Sequence, residues 1–146
     1  GSLGKQLTLT ASDLMIPVEK LSPLSSATAL PDVIAQLTGD GVGACWVARQ
    51  GDEQRIDGLI TDGDLRRALQ THAPSDWSGL TANDLMTFDP ITVSGTALAI
   101  DALEQMERNR RKSIGILPVV DQQKIMLGFL RLHDLVEAGL TRKSSH

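Results

Sequence analysis

The sequence contains itself twice. Ala11-Ser12-Asp13-Leu14-Met15 recurs 71 residues later as Ala82-Asn83-Asp84-Leu85-Met86. Gly58-Leu59-Ile60 followed by Asp64-Leu65 recurs 70 residues later as Gly128-Phe129-Leu130 followed by Asp134-Leu135. Two separate landmarks at nearly one spacing make the chain two copies of a unit of about 70 residues. A unit that short buries too little surface alone. Two of them are expected to pack sheet against sheet with pseudo-twofold symmetry, leaving a junction cleft of the kind that takes small molecules. The Pro-, Ser- and Gly-containing stretch Ala73 to Gly79 reads as the join. The expected partition is a first repeat over 9–72, a linker over 73–80, a second repeat over 81–140, and tails at 1–8 and 141–146.

Each copy reads β-α-β-β-α, an α/β (α+β) unit. In the second, Ile91-Thr92-Val93 is a short β-branched strand. Ala97 to Arg110 carries Leu98, Ala102, Leu103 and Met106 at helical spacing. Ser113 to Val120 and Ile125 to Leu130 are strands about a polar turn, and Leu132 to Ala138 is a helix closed by Gly139 as C-cap. In the first, a helix is expected over Ala29 to Leu37, strands over Gly43 to Ala48 and Ile56 to Ile60, and a helix over Asp62 to Leu69.

With 146 residues, 41% hydrophobic, a net charge of −4 and one cysteine, several classes fall away. Disorder is excluded by the apolar content. No apolar run approaches the roughly 18–20 residues of a membrane span. The mild acidity argues against nucleic acid as a partner, which needs a concentrated basic surface. Cys45 alone permits neither an internal disulfide nor a cysteine zinc cage, and points to a reducing, cytoplasmic setting. Cys45 and Trp46 are adjacent on an expected buried strand, so they face opposite sides as packing residues. Gly1-Ser2-Leu3 reads as the scar of a removed tag, so the chain is expected to be a domain taken from a longer polypeptide.

The chemistry concentrates in Gly58-Leu59-Ile60-Thr61-Asp62-Gly63-Asp64-Leu65-Arg66-Arg67. A strand ends at Thr61 and a helix begins, with Thr61 as N-cap and Asp64 at N3, the positions of a capping box. The same geometry suits a ligand: free N–H groups and the helix dipole favour phosphate, Thr61 can donate to it, and Asp64 can accept from ribose hydroxyls. In the second copy Arg131 stands where Thr61 stood, ahead of His133 and Asp134. Arginine can clamp a phosphate or carboxylate with two parallel bonds. The half-sites are therefore expected to be unequal, with Thr61, Asp64, Arg131, His133 and Asp134 as candidate ligand contacts. Arg108, Arg110, Arg111 and Lys112 read as a solvated helix end. Asp62-Gly63-Asp64 also looks like the nucleophile loop of metal-dependent phosphatases, but the hydroxyl residue needed two places after the second aspartate is Arg66. No catalytic residue and no metal ligand set is assigned.

The repeat and its motif resemble a tandem pair of CBS domains, a Bateman module. The family pattern of Gly, two apolar residues, Thr or Ser, two residues, then Asp is met in full by Gly58 to Asp64, and departs at Arg131 in Gly128 to Asp134. Ile116-Leu117-Pro118-Val119-Val120-Asp121 resembles the family's middle strand. Thr61-Asp62-Gly63-Asp64-Leu65-Arg66-Arg67 and the ending Leu132 to Leu140 further resemble the KpsF/GutQ family of arabinose-5-phosphate isomerases. That resemblance implies a regulatory module beside an N-terminal sugar-isomerase domain. It implies no cofactor, but a regulatory ligand such as AMP or ATP, or the cytidine nucleotide-sugar CMP-Kdo, and a homodimer. The rival readings are a purely structural oligomerisation module with a vestigial cleft, and the phosphatase.

Overall fold

The computed structural model describes residues 7–39, 41–108 and 114–140. The basic residues Arg110, Arg111 and Lys112, and His146, lie outside the described residues. The contacts divide the chain into two compact units that do not coincide with the sequence repeats. One unit, Glu19–Pro90, is continuous; the other joins the chain up to Val18 with the chain from Ile91 onward.

In the split unit, a four-residue helix α1 (Ala11–Leu14) leads into β1 (Ile16–Pro17). After the excursion through the other unit come β5 (Val93–Ser94), α5 (Ala99–Arg108), β6 (Ile116–Val120), β7 (Met126–Arg131) and α6 (Leu132–Glu137). The sheet order is β1-β7-β6-β5. Only the β5–β6 pair is parallel, as a pair joined through a crossover helix must be. Helix α5 buries Ala99, Ala102, Leu103 and Met106 against Leu117, Val119, Leu130 and Leu135. Leu98, expected on that buried stripe, is instead 39% exposed: the helix starts at Ala99, and Leu98 lies just before its first turn.

The continuous unit repeats the scheme. Helix α2 (Leu30–Gly39) buries Leu30, Val33 and Leu37. Strands β2 (Ala44–Arg49) and β3 (Asp52–Thr61) form a hairpin, α3 (Asp62–Thr71) follows, and α4 (Ala82–Leu85) leads into β4 (Thr87–Phe88). The sheet order is β2-β3-β4, with Leu24 bridging Val47 in parallel as a rudiment of the fourth lane. Strand β3 begins four residues before the expected Ile56, its polar start paired to β2 across an irregular register after Val47. Ala73 to Gly79, expected to be a plain join, holds a 3-10 helix over Pro74–Gly79, and Trp77 packs on this unit's core.

Each unit is thus completed by the segment that opens the other repeat. Pro17 lies opposite Gly128 on β7, and Phe88 opposite Gly58 on β3. Those two glycines are the repeated motif glycines. A Cβ on Gly58 would run into the Met86 side chain; one on Gly128 would collide with the Ile16 carbonyl oxygen. The two repeated landmarks therefore fit together: the methionine segment of one copy passes over the motif glycine of the other.

At the end of α6, Gly139 has φ 89°, Gly139 N–H donates to Val136 O at 3.0 Å, and Leu140 N–H donates to Leu135 O at 3.0 Å. That is the expected glycine C-cap in Schellman form, and it turns Leu140, 3% exposed, back into the core.

Candidate functional site

Thr-x-x-Asp occurs at three helix starts, and each time it builds the same local device. Thr10 N–H donates to Asp13 Oδ2 at 2.8 Å ahead of α1, Thr61 N–H to Asp64 Oδ2 at 2.9 Å ahead of α3, and Thr81 N–H to Asp84 Oδ2 at 2.9 Å ahead of α4. At α3 the Thr61 hydroxyl also accepts from Asp64 N–H at 3.3 Å, which completes the expected capping box. At Asp13 the Thr10 backbone N–H, then its hydroxyl, hold the carboxyl below its ordinary value.

The α3 copy differs from the other two in the burial of its aspartate and in a second partner for it. Asp64 is the only buried charged side chain among the described residues, 5% exposed. Its second oxygen accepts from Arg67 Nη1 at 3.0 Å, a partner the sequence reading did not single out, although i,i+3 spacing on a helix makes the pair legible. Asp64 is therefore anchored from both sides, by the strand end through Thr61 and by the helix through Arg67. An anchored carboxylate of this kind is preorganised to accept from a ligand's hydroxyl through its remaining lone pairs.

In the split unit the corresponding turn is built differently. Arg131 sits in the N-cap position of α6 and donates through Nε to Asp134 Oδ2 at 2.8 Å and through Nη2 to Asp134 Oδ1 at 2.9 Å. The guanidinium thus satisfies both carboxylate oxygens in the two-pronged geometry that arginine favours. This bond raises the Arg131 pKa above its ordinary value, against partial burial and with help from the Asp134 and Glu137 charges. His133 pairs instead with Glu137: its Nε2 lies 3.3 Å from Glu137 Oε1, and both side chains are exposed. The five candidate residues therefore form a Thr61–Asp64 pair in one unit and an Arg131–Asp134 pair in the other, with His133 apart from Asp134.

A pocket of about 420 Å³ in the continuous unit lies elsewhere. It is lined by Pro23 to Ala27 and by hairpin residues including Ala48, Arg49 and Glu53, and contains none of the five candidates. Thr61 pairs with Ala44 at one end of β2 and Arg49 with Asp52 at the other, so the pocket and Thr61 occupy opposite ends of the hairpin. Among the described residues no group of three His, Cys, Asp or Glu side chains could hold a metal ion, and no helix is long and apolar enough to cross a membrane.

Comparison with known proteins places this geometry. Residues 82–141 match the CBS domain family. The chain is 36% identical over 140 residues to the arabinose 5-phosphate isomerase KdsD of Pseudomonas aeruginosa, covering 96% of this chain and 41% of that protein. It thus spans about two fifths of the length of the curated relatives it matches. Among solved structures it is similar to CBSX2 in complex with AMP, with a TM-score of 0.74 and 27% identity over 90% of this chain and 96% of the other; CBSX2 is a CBS-pair protein of Arabidopsis thaliana. It also shares its fold, at a TM-score of 0.76 and 20% identity, with the CBS domain of a bacterial CNNM/CorC family Mg2+ transporter in complex with ATP, over 93% of this chain and 90% of that one.

Proposed function

We propose, for a chain that carries a CBS domain and has the fold of a CBS pair, that it is a regulatory module binding a nucleotide or nucleotide-sugar. The ligand signal is passed to an attached sugar-phosphate isomerase domain of the arabinose-5-phosphate type. The observation that carries this reading is the match to KdsD along 96% of the chain, combined with the anchored Thr61–Asp64 pair. Asp64 accepts from the ribose hydroxyls, and Thr61 with the start of α3 meets the phosphate. Arg131, His133 and Asp134 form a weaker half-site, because the Asp134 carboxylate is already engaged by Arg131. A phosphate that attracts Arg131 would release Asp134, so this half responds to anionic ligands. A regulator works by binding two conformations unequally, and needs no catalytic group of its own.

The exposed apolar pair Leu132 and Val136 on α6 supports self-association of this module as a dimer. The reading as a cytoplasmic protein rests on the lone buried thiol Cys45.

A thermal-shift screen of AMP, ATP, CMP and CMP-Kdo tests the function. A ligand bound only by the folded chain and present at 100 times its Kd adds about 2.7 kcal/mol of stability. No shift with any of them at millimolar concentration would leave the structural oligomerisation reading in its place. Light scattering above the 15.7 kDa of one chain supports the dimer, and that mass alone at micromolar concentration refutes it.

A further inference from the structure

Trp46 carries a donor that none of the described residues uses. Its neighbours on β2, Cys45 and Val47, enter the core of the continuous unit, so Trp46 stands on the other face of the sheet. The residue is 2% exposed, and among the described residues its Nε1–H has no hydrogen-bond partner. The other tryptophan shows the usual solution: Trp77 Nε1–H donates to His72 O at 3.0 Å. Buried N–H groups in native proteins are almost always paired, so an orphan one calls for an explanation.

The register supplies its surroundings. Leu59 lies directly opposite Trp46, and Thr61 directly opposite Ala44. Thr61 is therefore the diagonal neighbour of Trp46 on one sheet face, at a separation of about 7–8 Å that an indole can span. Between them the face is apolar, made by Ala44 and Leu59, both nearly inaccessible to solvent.

We propose that the Trp46 indole N–H is the base-recognising donor of the site formed by Thr61 and Asp64. It donates to a ring nitrogen or carbonyl oxygen of the nucleobase, and the sugar and phosphate lie toward Thr61 and the start of α3. This rests on the nucleotide reading of that site. The orientation follows from desolvation. A phosphate set against Ala44 and Leu59 would lose its hydration for a single neutral donor. A planar base loses little there and presents an acceptor at its edge; because Trp46, Ala44 and Leu59 are covered in the free chain, the base reaches the indole only as that cover moves aside.

The test is the indole ¹⁵N–¹H spectrum, which holds two signals because the chain has two tryptophans. AMP is the probe, with ribose 5-phosphate and inorganic phosphate as base-free controls. AMP is expected to move the Trp46 indole proton downfield while the Trp77 signal stays, and the base-free controls leave Trp46 in place. Replacing Trp46 by 3-benzothienylalanine, which keeps the ring shape but has sulfur for N–H, is expected to weaken AMP binding about tenfold. The same replacement should not lower the melting temperature of the free protein, since no internal hydrogen bond is lost. Backbone shifts at Thr61 and Asp64 on adding AMP, with the Trp46 indole unmoved and the affinity of the replaced protein unchanged, would overturn this inference and leave the site's reading standing. No amide shift with AMP, CMP or CMP-Kdo would overturn both.

Discussion

Gly128→Ala should cost the protein more than Gly58→Ala, although the two glycines hold the same place in the repeated motif. The added methyl at Gly128 would collide with the Ile16 carbonyl oxygen, a backbone atom, with Met15 Sδ at 2.9 Å and the Ile16 carbonyl carbon at 3.1 Å beyond it. A carbonyl cannot rotate aside, so β1 must leave β7. That removes a two-residue ladder, worth about 1 kcal/mol per hydrogen bond, on top of the roughly 1–3 kcal/mol typical of overpacking. The gain from replacing glycine in a strand offsets about 0.5–1 kcal/mol. The net loss is about 2–4 kcal/mol, or roughly 6–12 °C in Tm at this chain length. At Gly58 the methyl meets only the Met86 side chain. Rotation can move the Met86 Sδ and Cγ aside but not its Cβ at 3.0 Å, so the loss there should be about 1–2 kcal/mol. Thermal unfolding followed by circular dichroism measures both. The double variants sharpen the contrast, because contacting residues couple: Met86→Ala should restore most of the loss in Gly58→Ala, and Met15→Ala should restore little in Gly128→Ala. Equal losses at the two glycines, or full rescue of Gly128→Ala by Met15→Ala, would refute the assignment of the Ile16 carbonyl as the obstacle.

Three further outcomes are expected. Asp64→Ala should weaken nucleotide binding more than Asp134→Ala in calorimetric titration, because Asp134 is already engaged by Arg131; a larger loss for Asp134→Ala would invert the ranking of the half-sites. The Asp13 carboxyl has a folded-state pKa below its ordinary 3.8, so its contribution is full above pH 3.8 and is lost as pH falls through the folded value. The stability difference between the parent and Asp13→Asn should therefore be constant from pH 7 down to about 4 and shrink below that, and a difference that persists unchanged into stronger acid would contradict it. Finally, the chain alone should turn over neither ribulose 5-phosphate nor arabinose 5-phosphate, since isomerisation needs a positioned base and acid; Asp64 is tied to Thr61 and Arg67, and His133 faces solvent beside Glu137. Turnover abolished by Asp64→Asn would place this module in an active site.

Local patterns were legible in the sequence to the extent that they were periodic or capped. The Thr61–Asp64 box, the Gly139 C-cap and the placing of Cys45 and Trp46 on opposite faces of one strand follow from spacing alone, and the structure has each of them. Helices α1 and α4 are four residues long, too short for a hydrophobic period to register. Their signal was the Thr10-x-x-Asp13 and Thr81-x-x-Asp84 boxes, the same pattern recognised at Thr61. The pairing of Ile16 with Phe129 was beyond reach: a two-residue strand whose partner lies over a hundred residues away leaves no local trace. The repeat unit of the sequence and the packing unit of the fold are different objects for that reason. Gly58 and Gly128 could be named as motif positions, but why they are glycine depends on chain that arrives from the other copy. At the proposed ligand site the sequence offered Thr61 and Asp64 as candidates, yet could not show that Arg131 would turn onto Asp134.

The crossed arrangement also sets an order of birth on the ribosome. Everything the continuous unit needs lies between Glu19 and Pro90, so it can close as soon as that stretch is outside the tunnel. Strand β1 is made earlier still, but its partner β7 does not exist until residues 126–131 have been synthesised. At about 5–20 residues per second, Ile16 and Pro17 wait several seconds with their pairing groups unsatisfied. Of the strands described, the earliest made is among the last to be placed, and the late-made chain around Gly128 is what receives it.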